Sequence, residues 1–172
     1  HQIAIYFLPG YMNSNLYDTD GWLHWIGWTS AATLPIDIWY FRSGWDQPTF
    51  QGKYADDNKL VVKRDNTELG SFSSMETIKN TLNGDKTIRN NYDVITFSYN
   101  WLGDVNTAAK ELEKSINERK YKKVILITHS TGGLVASTYI ASSRLNAAKV
   151  EKTILLASAL DGTLSSLYPV ET

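Results

Sequence analysis

Among the side chains that could take part in a reaction, Ser130 has the most characteristic sequence context. It stands in a short turn, THSTGG at residues 128–133, which follows the apolar run VILI at residues 124–127. Such an uninterrupted apolar run is typical of a buried parallel strand. The mostly apolar residues 134–141 after the turn indicate a buried helix. A sharp strand-to-helix turn lifts its central serine above the sheet, so the pattern predicts that Ser130 is a nucleophile.

The residues around Ser130 support this prediction and also complicate it. Gly132 and Gly133 allow the helix to begin close to the strand, and a helix N-terminus helps to stabilise negative charge. Thr128 stands where a glycine is usual in this motif, and its branched but fairly small side chain is expected to crowd the approach of the helix. Short motifs of this form occur by chance in many chains, so the prediction depends on the flanking strand and helix.

Three further apolar runs predict strands, at residues 3–8 (IAIYFL), 93–98 (DVITFS) and 152–157 (KTILLA). A helix is predicted around Met75, Ile78 and Leu82, with Ser73 or Ser74 as N-cap and a stop at Gly84. A second amphipathic helix is predicted after Asp104. Its apolar stripe consists of Val105, Ala108, Ala109, Leu112 and Ile116.

This alternation predicts an α/β fold with a mainly parallel sheet and crossover helices. Strand ends of a parallel sheet meet at one edge, where ligands of such folds bind. The loops expected there contain Tyr11-Met12, Tyr99-Asn100-Trp101, Ser130-Thr131 and Asp161-Gly162. We expect residues 1–172 to form one domain, with chemistry at that edge.

Residues 17–72 read as an aromatic and loop-rich insertion after the first strand, with a possible hairpin arm near residues 60–66. Its tryptophans include Trp22, Trp25 and Trp28. They either pack a core or form an apolar surface that meets acyl chains or a lipid interface. On the second alternative they and Met12 are candidate lipid contacts.

The composition excludes several classes of function. The 172 residues include 17 basic and 18 acidic side chains, so no strong field favours nucleic acid. Cysteine is absent, and no cluster of His, Asp and Glu has the spacing of metal ligands, so no metal and no other cofactor is expected. No apolar run approaches the ~20 residues of a membrane span, which favours a soluble protein and leaves a secreted or cell-surface location open.

Taken in order, these motifs resemble a known family. The turn at residues 128–133 resembles the nucleophile elbow of the α/β-hydrolases. Residues 7–16 (FLPGYMNSNL), 70–78 (GSFSSMETI) and 92–101 (YDVITFSYNW) resemble the lecithin:cholesterol acyltransferase-like branch of lipases and acyltransferases. That branch carries a membrane-contacting insertion where this chain has its tryptophans. Asn100 and Leu102 depart from the Tyr-Asp-Trp-Arg of the branch, as Thr128 departs from its glycine.

The resemblance implies that Ser130 attacks a lipid carboxylic ester and forms an acyl-enzyme, as in a lipase, an esterase or an acyltransferase. It also implies an oxyanion hole made by two backbone N–H groups, those of Thr131 and Tyr11. The expected partner is a lipid ester at a membrane or micelle interface.

The catalytic base is not apparent. In this fold the triad runs in the order Ser, then Asp or Glu, then His. The histidines are His1, His24 and His129, and none follows Ser130. We therefore expect a partial hydrolase fold whose acid and base lie in the remainder of a longer parent chain, and which is inactive alone. Asp161 is either the acid or, more in keeping with its turn, a structural residue.

Two classes of function remain open. One is a serine hydrolase, which the turn around Ser130 favours. The other is a hydrolase-like module that binds a lipid or a peptidoglycan-like surface without turnover, which the absent base favours.

Overall fold

The computed structural model describes residues 1–10, 14, 16–17, 23–25, 62, 74–101, 103–158 and 160. The strands in these residues are β1 (Ile3–Leu8), β2 (Leu16–Tyr17), β3 (Leu23–Trp25), β4 (Asp93–Thr96), β5 (Lys123–His129) and β6 (Val150–Leu156). The helices are α1 (Ser74–Gly84), α2 (Lys86–Asn91), α3 (Val105–Glu118), α4 (Gly132–Ser142) and α5 (Arg144–Lys149).

Four of the strands form one parallel sheet in the order β4-β1-β5-β6. This confirms the predicted α/β fold with a parallel sheet. Because β1 and β5 are the inner strands, their side chains are covered from both faces, which explains why both read as continuous apolar runs. β6 has a neighbour on one side only within the described residues, and its Ile154 and Leu155 are 38% and 46% exposed.

The two faces of the sheet carry separate apolar clusters. Ala4, Tyr6 and Leu8 of β1 pack with α3 and α4, whereas Ile5 and Phe7 point to the other face. That second face is covered by apolar residues of α1 and α2, namely Ile78, Leu82 and Ile88. The alternation follows from the period of two in a β-strand.

The buried face of helix α3 agrees with the predicted apolar stripe. Asp104 occupies the N-cap position in an extended conformation, and its carbonyl oxygen accepts the first helical hydrogen bond from the Ala108 N–H at 3.1 Å. Four residues of the stripe are buried: Ala108, Ala109, Leu112 and Ile116. Val105, at the first turn, is only half-buried.

The boundaries of some elements differ from the prediction. β4 ends at Thr96 rather than at residue 98, although the Phe97 N–H still donates to the Phe7 carbonyl at 2.8 Å. β6 begins at Val150, and the short helices α2 and α5 were not predicted. Polar caps start both helices, since Asp85 accepts from the Ile88 N–H at 2.9 Å and Ser143 from the Asn146 N–H at 3.0 Å.

The predicted insertion at residues 17–72 falls mostly outside the described residues. Its described parts include β3, which pairs antiparallel with β2 and places the Trp25 backbone opposite Leu16. Trp22, Trp28 and most of the hairpin arm lie outside the described residues, so the limits of the insertion and of the domain remain predictions. Among the helices that the structure describes, none is long and apolar enough to cross a membrane.

The buried stripe of α3 generates a stability prediction. Leu112 is 0% exposed, so Leu112→Ala should lower the free energy of unfolding by about 2–5 kcal/mol, through lost burial and the cavity left behind. Lys110→Ala, on the exposed side of the same helix, should change it by less than about 0.5 kcal/mol. Urea unfolding followed by circular dichroism measures both. Equal effects would contradict the assigned face.

Candidate active site

Ser130 has an unusual backbone conformation. It links β5 to α4 and has a φ of 51°, in the left-handed region that residues with a Cβ avoid. Such a conformation costs on the order of 1–3 kcal/mol and persists only where neighbouring structure imposes it. Here the Ser130 N–H donates to the Leu156 carbonyl at 3.1 Å, and the Ser130 carbonyl accepts from the Gly133 N–H at 3.1 Å. The serine side chain is half-buried.

Two glycines permit the close packing around this turn. A Cβ on Gly132 would lie 2.5 Å from the Leu8 carbonyl oxygen and 2.8 Å from that of Pro9, so α4 begins directly against the end of β1. A Cβ on Gly10 would lie 2.7 Å from the Cβ of Ser130. The loop after β1 therefore passes against the serine, and neither position has room for a side chain.

Thr128 is accommodated at the position where the sequence predicted crowding. Its side chain is fully buried, and its Oγ1 lies 3.3 Å from the Oγ of Ser158, at the end of β6. A Cβ on Gly133 would lie 2.5 Å from that same Ser158 Oγ. The branched residue fits because its hydroxyl has a polar partner and because Gly133 leaves space for that partner.

Tyr99 connects three of the loops. Its hydroxyl donates to the Pro9 carbonyl at 2.8 Å and lies 3.0 Å from the Oγ1 of Thr131. Tyr99 is 3% exposed, and burial raises the pKa of its phenol, an effect that the hydrogen bond with Thr131 partly offsets. The neighbouring Trp101 donates from Nε1 to the Ser14 carbonyl at 3.1 Å, which ties the β4 end to the chain after β1.

Thr131 is the N-cap residue of α4. Its carbonyl accepts from the N–H groups of Leu134 and Val135 at 3.0 and 3.3 Å, whereas its own N–H has no acceptor within the described part of the chain. The first N–H groups of a helix lack intrahelical partners, and the helix dipole makes them favourable donors to an anion. A donor beside a serine hydroxyl is the arrangement that acyl transfer requires.

The described residues that directly follow all four parallel strands thus meet at one edge of the sheet, as predicted. The structure brings Ser130 and Thr131 together with the loop that leads to Tyr11. Tyr11, Met12 and Asp161 themselves lie outside the described residues. His129 is adjacent to Ser130, and its buried Nδ1 has no hydrogen-bond partner in the part that the structure describes. In that same part, no group of His, Cys, Asp and Glu could hold a metal ion.

Sequence reasoning did not assign a role to three residues of this edge: Tyr99, Gly10 and Ser158. Each lies within three residues of the end of a parallel strand, and this position is the feature of the sequence that could have identified it as a residue of this edge. Their pairing with Thr131, Ser130 and Thr128 depends on the strand order, which the sequence did not specify.

The close approach of α4 to β1 can be tested with two glycine substitutions. Gly132→Ala should destabilise the protein by about 1–3 kcal/mol, because its Cβ overlaps two backbone oxygens that cannot rotate away. Gly84→Ala is the matched control, since its Cβ would meet nothing within 4 Å, and it should be neutral or stabilising by up to about 1 kcal/mol. Thermal unfolding measures both, and an unaffected Gly132→Ala protein would contradict the packing described.

Comparison with known proteins agrees with this geometry. A family model described as "PGAP1-like alpha/beta domain" matches residues 70–167, more than half of the chain, including the turn around Ser130. Neither the curated proteins nor the solved structures yield a match. The parallel sheet, the strand-to-helix turn and this match lead to one conclusion: the chain belongs to the PGAP1-like alpha/beta domains, a family of the α/β-hydrolase type.

Proposed function

We propose that this chain carries the nucleophile of a serine hydrolase that acts on lipid carboxylic esters. The observation that carries the proposal is the left-handed Ser130 between β5 and α4, held against Gly10 and the end of β1. A serine in this conformation stands at the carboxyl edge of the sheet, where ligands of α/β folds bind. Membership of a hydrolase-type family supports the same assignment.

In the proposed reaction the Ser130 Oγ attacks the carbonyl carbon of the ester while a base accepts the hydroxyl proton. The tetrahedral oxyanion collapses, the proton passes to the departing alcohol, and an acyl-enzyme remains on Ser130. Water or a second alcohol then attacks the acyl-enzyme and restores the serine. Hydrolysis and acyl transfer differ only in that acceptor, so both are compatible with the site.

The oxyanion donors of the proposal are the backbone N–H groups of Thr131 and Tyr11. Thr131 follows the nucleophile and starts α4, and its N–H has no acceptor among the described residues. Tyr11 follows Gly10, which lies against the Ser130 side chain. Loss of one such donor costs on the order of 10²–10³ in rate.

The acid and base of the proposed triad come from outside these 172 residues. No histidine follows Ser130, and using His24 or His129 would break the order Ser, acid, His of this fold. Asp161, within the chain, is the second candidate for the acid of the triad.

The lipid substrate and the lecithin:cholesterol acyltransferase-like branch rest on the resemblance of residues 7–16, 70–78 and 92–101 and on the aromatic insertion. We include Met12, Trp22, Trp25 and Trp28 as candidate contacts with the acyl chains or with a membrane or micelle surface. Tryptophan suits this position, since its ring is largely apolar and its N–H can remain hydrated.

Labelling with a fluorophosphonate tests the nucleophile, because this reagent reacts with an activated serine. We expect Ser130 of the longest natural form of the protein to be modified, as identified by peptide mass mapping, and Ser130→Ala to abolish the modification. The 172-residue chain alone should react at least 10²-fold more slowly without its base. Absence of labelling in both forms would instead favour a hydrolase-like module that binds a lipid surface without turnover.

The lipid contact can be tested separately. Trp25→Ala combined with Trp28→Ala should weaken sedimentation with phosphatidylcholine vesicles by about ten-fold, because two amphipathic rings are removed from the interface. Replacing the same residues by Phe should retain part of the binding. Unchanged vesicle binding by a folded double Ala variant would indicate that Trp25 and Trp28 pack in a core instead.

A further inference from the structure

We propose that Tyr99 is a positioning residue, which fixes the start of α4, with the proposed oxyanion donor of Thr131, relative to Pro9 in the segment that leads to the other proposed donor. The inference rests on the proposed function and names a residue that neither the motif around Ser130 nor the family match assigns. Tyr99 would touch neither the substrate nor the reacting atoms. It acts through the two chain segments that its hydroxyl joins.

The direction of each hydrogen bond follows from the chemistry of the partners. The Pro9 carbonyl can only accept, so the Tyr99 hydroxyl spends its single proton on that bond of 2.8 Å. The Tyr99 oxygen must then accept the proton of the Thr131 hydroxyl across 3.0 Å. The result is a directed chain from Thr131 through Tyr99 to Pro9.

This hydrogen-bond chain joins the two segments that lead to the proposed oxyanion donors. Thr131 carries one proposed donor, and Pro9 lies two residues before Tyr11, which carries the other. Pro9 and Tyr99 are both buried, so water cannot readily replace the bond between them. The Thr131 hydroxyl makes no capping hydrogen bond to α4. Among the described residues, its hydrogen-bond partner is Tyr99.

The chemistry of the phenol suits a permanent hydrogen bond. Burial raises the pKa of Tyr99 above its ordinary value near 10, so the group stays protonated throughout the neutral range. A tyrosine that exchanged a proton in catalysis would be expected to have a pKa near the working pH. Tyr99 should therefore influence the rate without adding an ionisation to the pH profile.

The experiment compares the rate of fluorophosphonate labelling, and kcat and KM for a p-nitrophenyl ester, in the longest natural form of the protein. Tyr99→Phe keeps the ring and removes the hydroxyl. We expect labelling and kcat to fall by about 10- to 100-fold with KM nearly unchanged, since a small displacement of donors affects the transition state selectively. The midpoints of the pH profile should not move.

Thr131 tests the other end of the hydrogen-bond chain and serves if Tyr99→Phe fails to fold. Thr131→Val removes the hydroxyl donor at similar volume and should slow labelling by about ten-fold, whereas Thr131→Ser should rescue it because serine offers the same donor. The double variant Tyr99→Phe, Thr131→Val should be no slower than Tyr99→Phe alone, because both changes break one chain.

Tyr121→Phe is the matched control. Tyr121 is 6% exposed and donates to Asp93 at 2.8 Å, but it precedes β5 and so lies at the opposite edge of the sheet. The Tyr121→Phe substitution should lower the stability of the protein without lowering the rate at which Ser130 is labelled. Equal labelling of wild-type protein and Tyr99→Phe, or an equal loss in Tyr121→Phe, would overturn the positioning role while the proposed function stands. An unlabelled wild-type Ser130 would overturn both.

Discussion

The approach of helix α4 to the end of strand β1 is the constraint on which this edge of the molecule depends. Backbone contacts through Gly132 bring the helix against the carbonyls of Leu8 and Pro9, nearer than any side chain would allow. With the helix in that place, the chain must turn within two residues after β5, and the backbone of Ser130 adopts the left-handed conformation. The order β4-β1-β5-β6 then places the ends of β1 and β6 on either side of the turn.

Polar contacts hold the loops where apolar packing has no room. The Tyr99 hydroxyl reaches the loop after β1 and the start of α4, while Thr128 and Ser158 pair across the β5 and β6 ends. These groups are uncharged, and the raised pKa of the Tyr99 phenol keeps it so at neutral pH. Neutral donors and acceptors avoid the large desolvation penalty of buried ions, so they can stabilise this edge at a modest cost.

Much of the architecture could be predicted from local sequence patterns. Continuous apolar runs predicted β1 and β5, the helical period predicted the apolar stripe of α3, and the flanking strand and helix predicted the turn at Ser130. The strand order was not, since pairing among parallel strands depends on contacts distant in sequence. Short capped helices such as α2 and α5 carry too few residues for a periodic signal. Thr128 was expected to crowd the helix, and only the structure shows its polar partner at Ser158.

The left-handed Ser130 has a consequence for the balance between the stability of the protein and its proposed chemistry. Glycine adopts this conformation at no steric cost, so the position would be most stable with the one residue that lacks a side chain altogether. With serine there, backbone strain is held at this site, as it is at Lys120 and Ala157, whose φ angles are also positive. Replacement of Ser130 by glycine would relieve this strain and would also remove the hydroxyl of the proposed nucleophile, so stability and the proposed chemistry oppose each other at this residue.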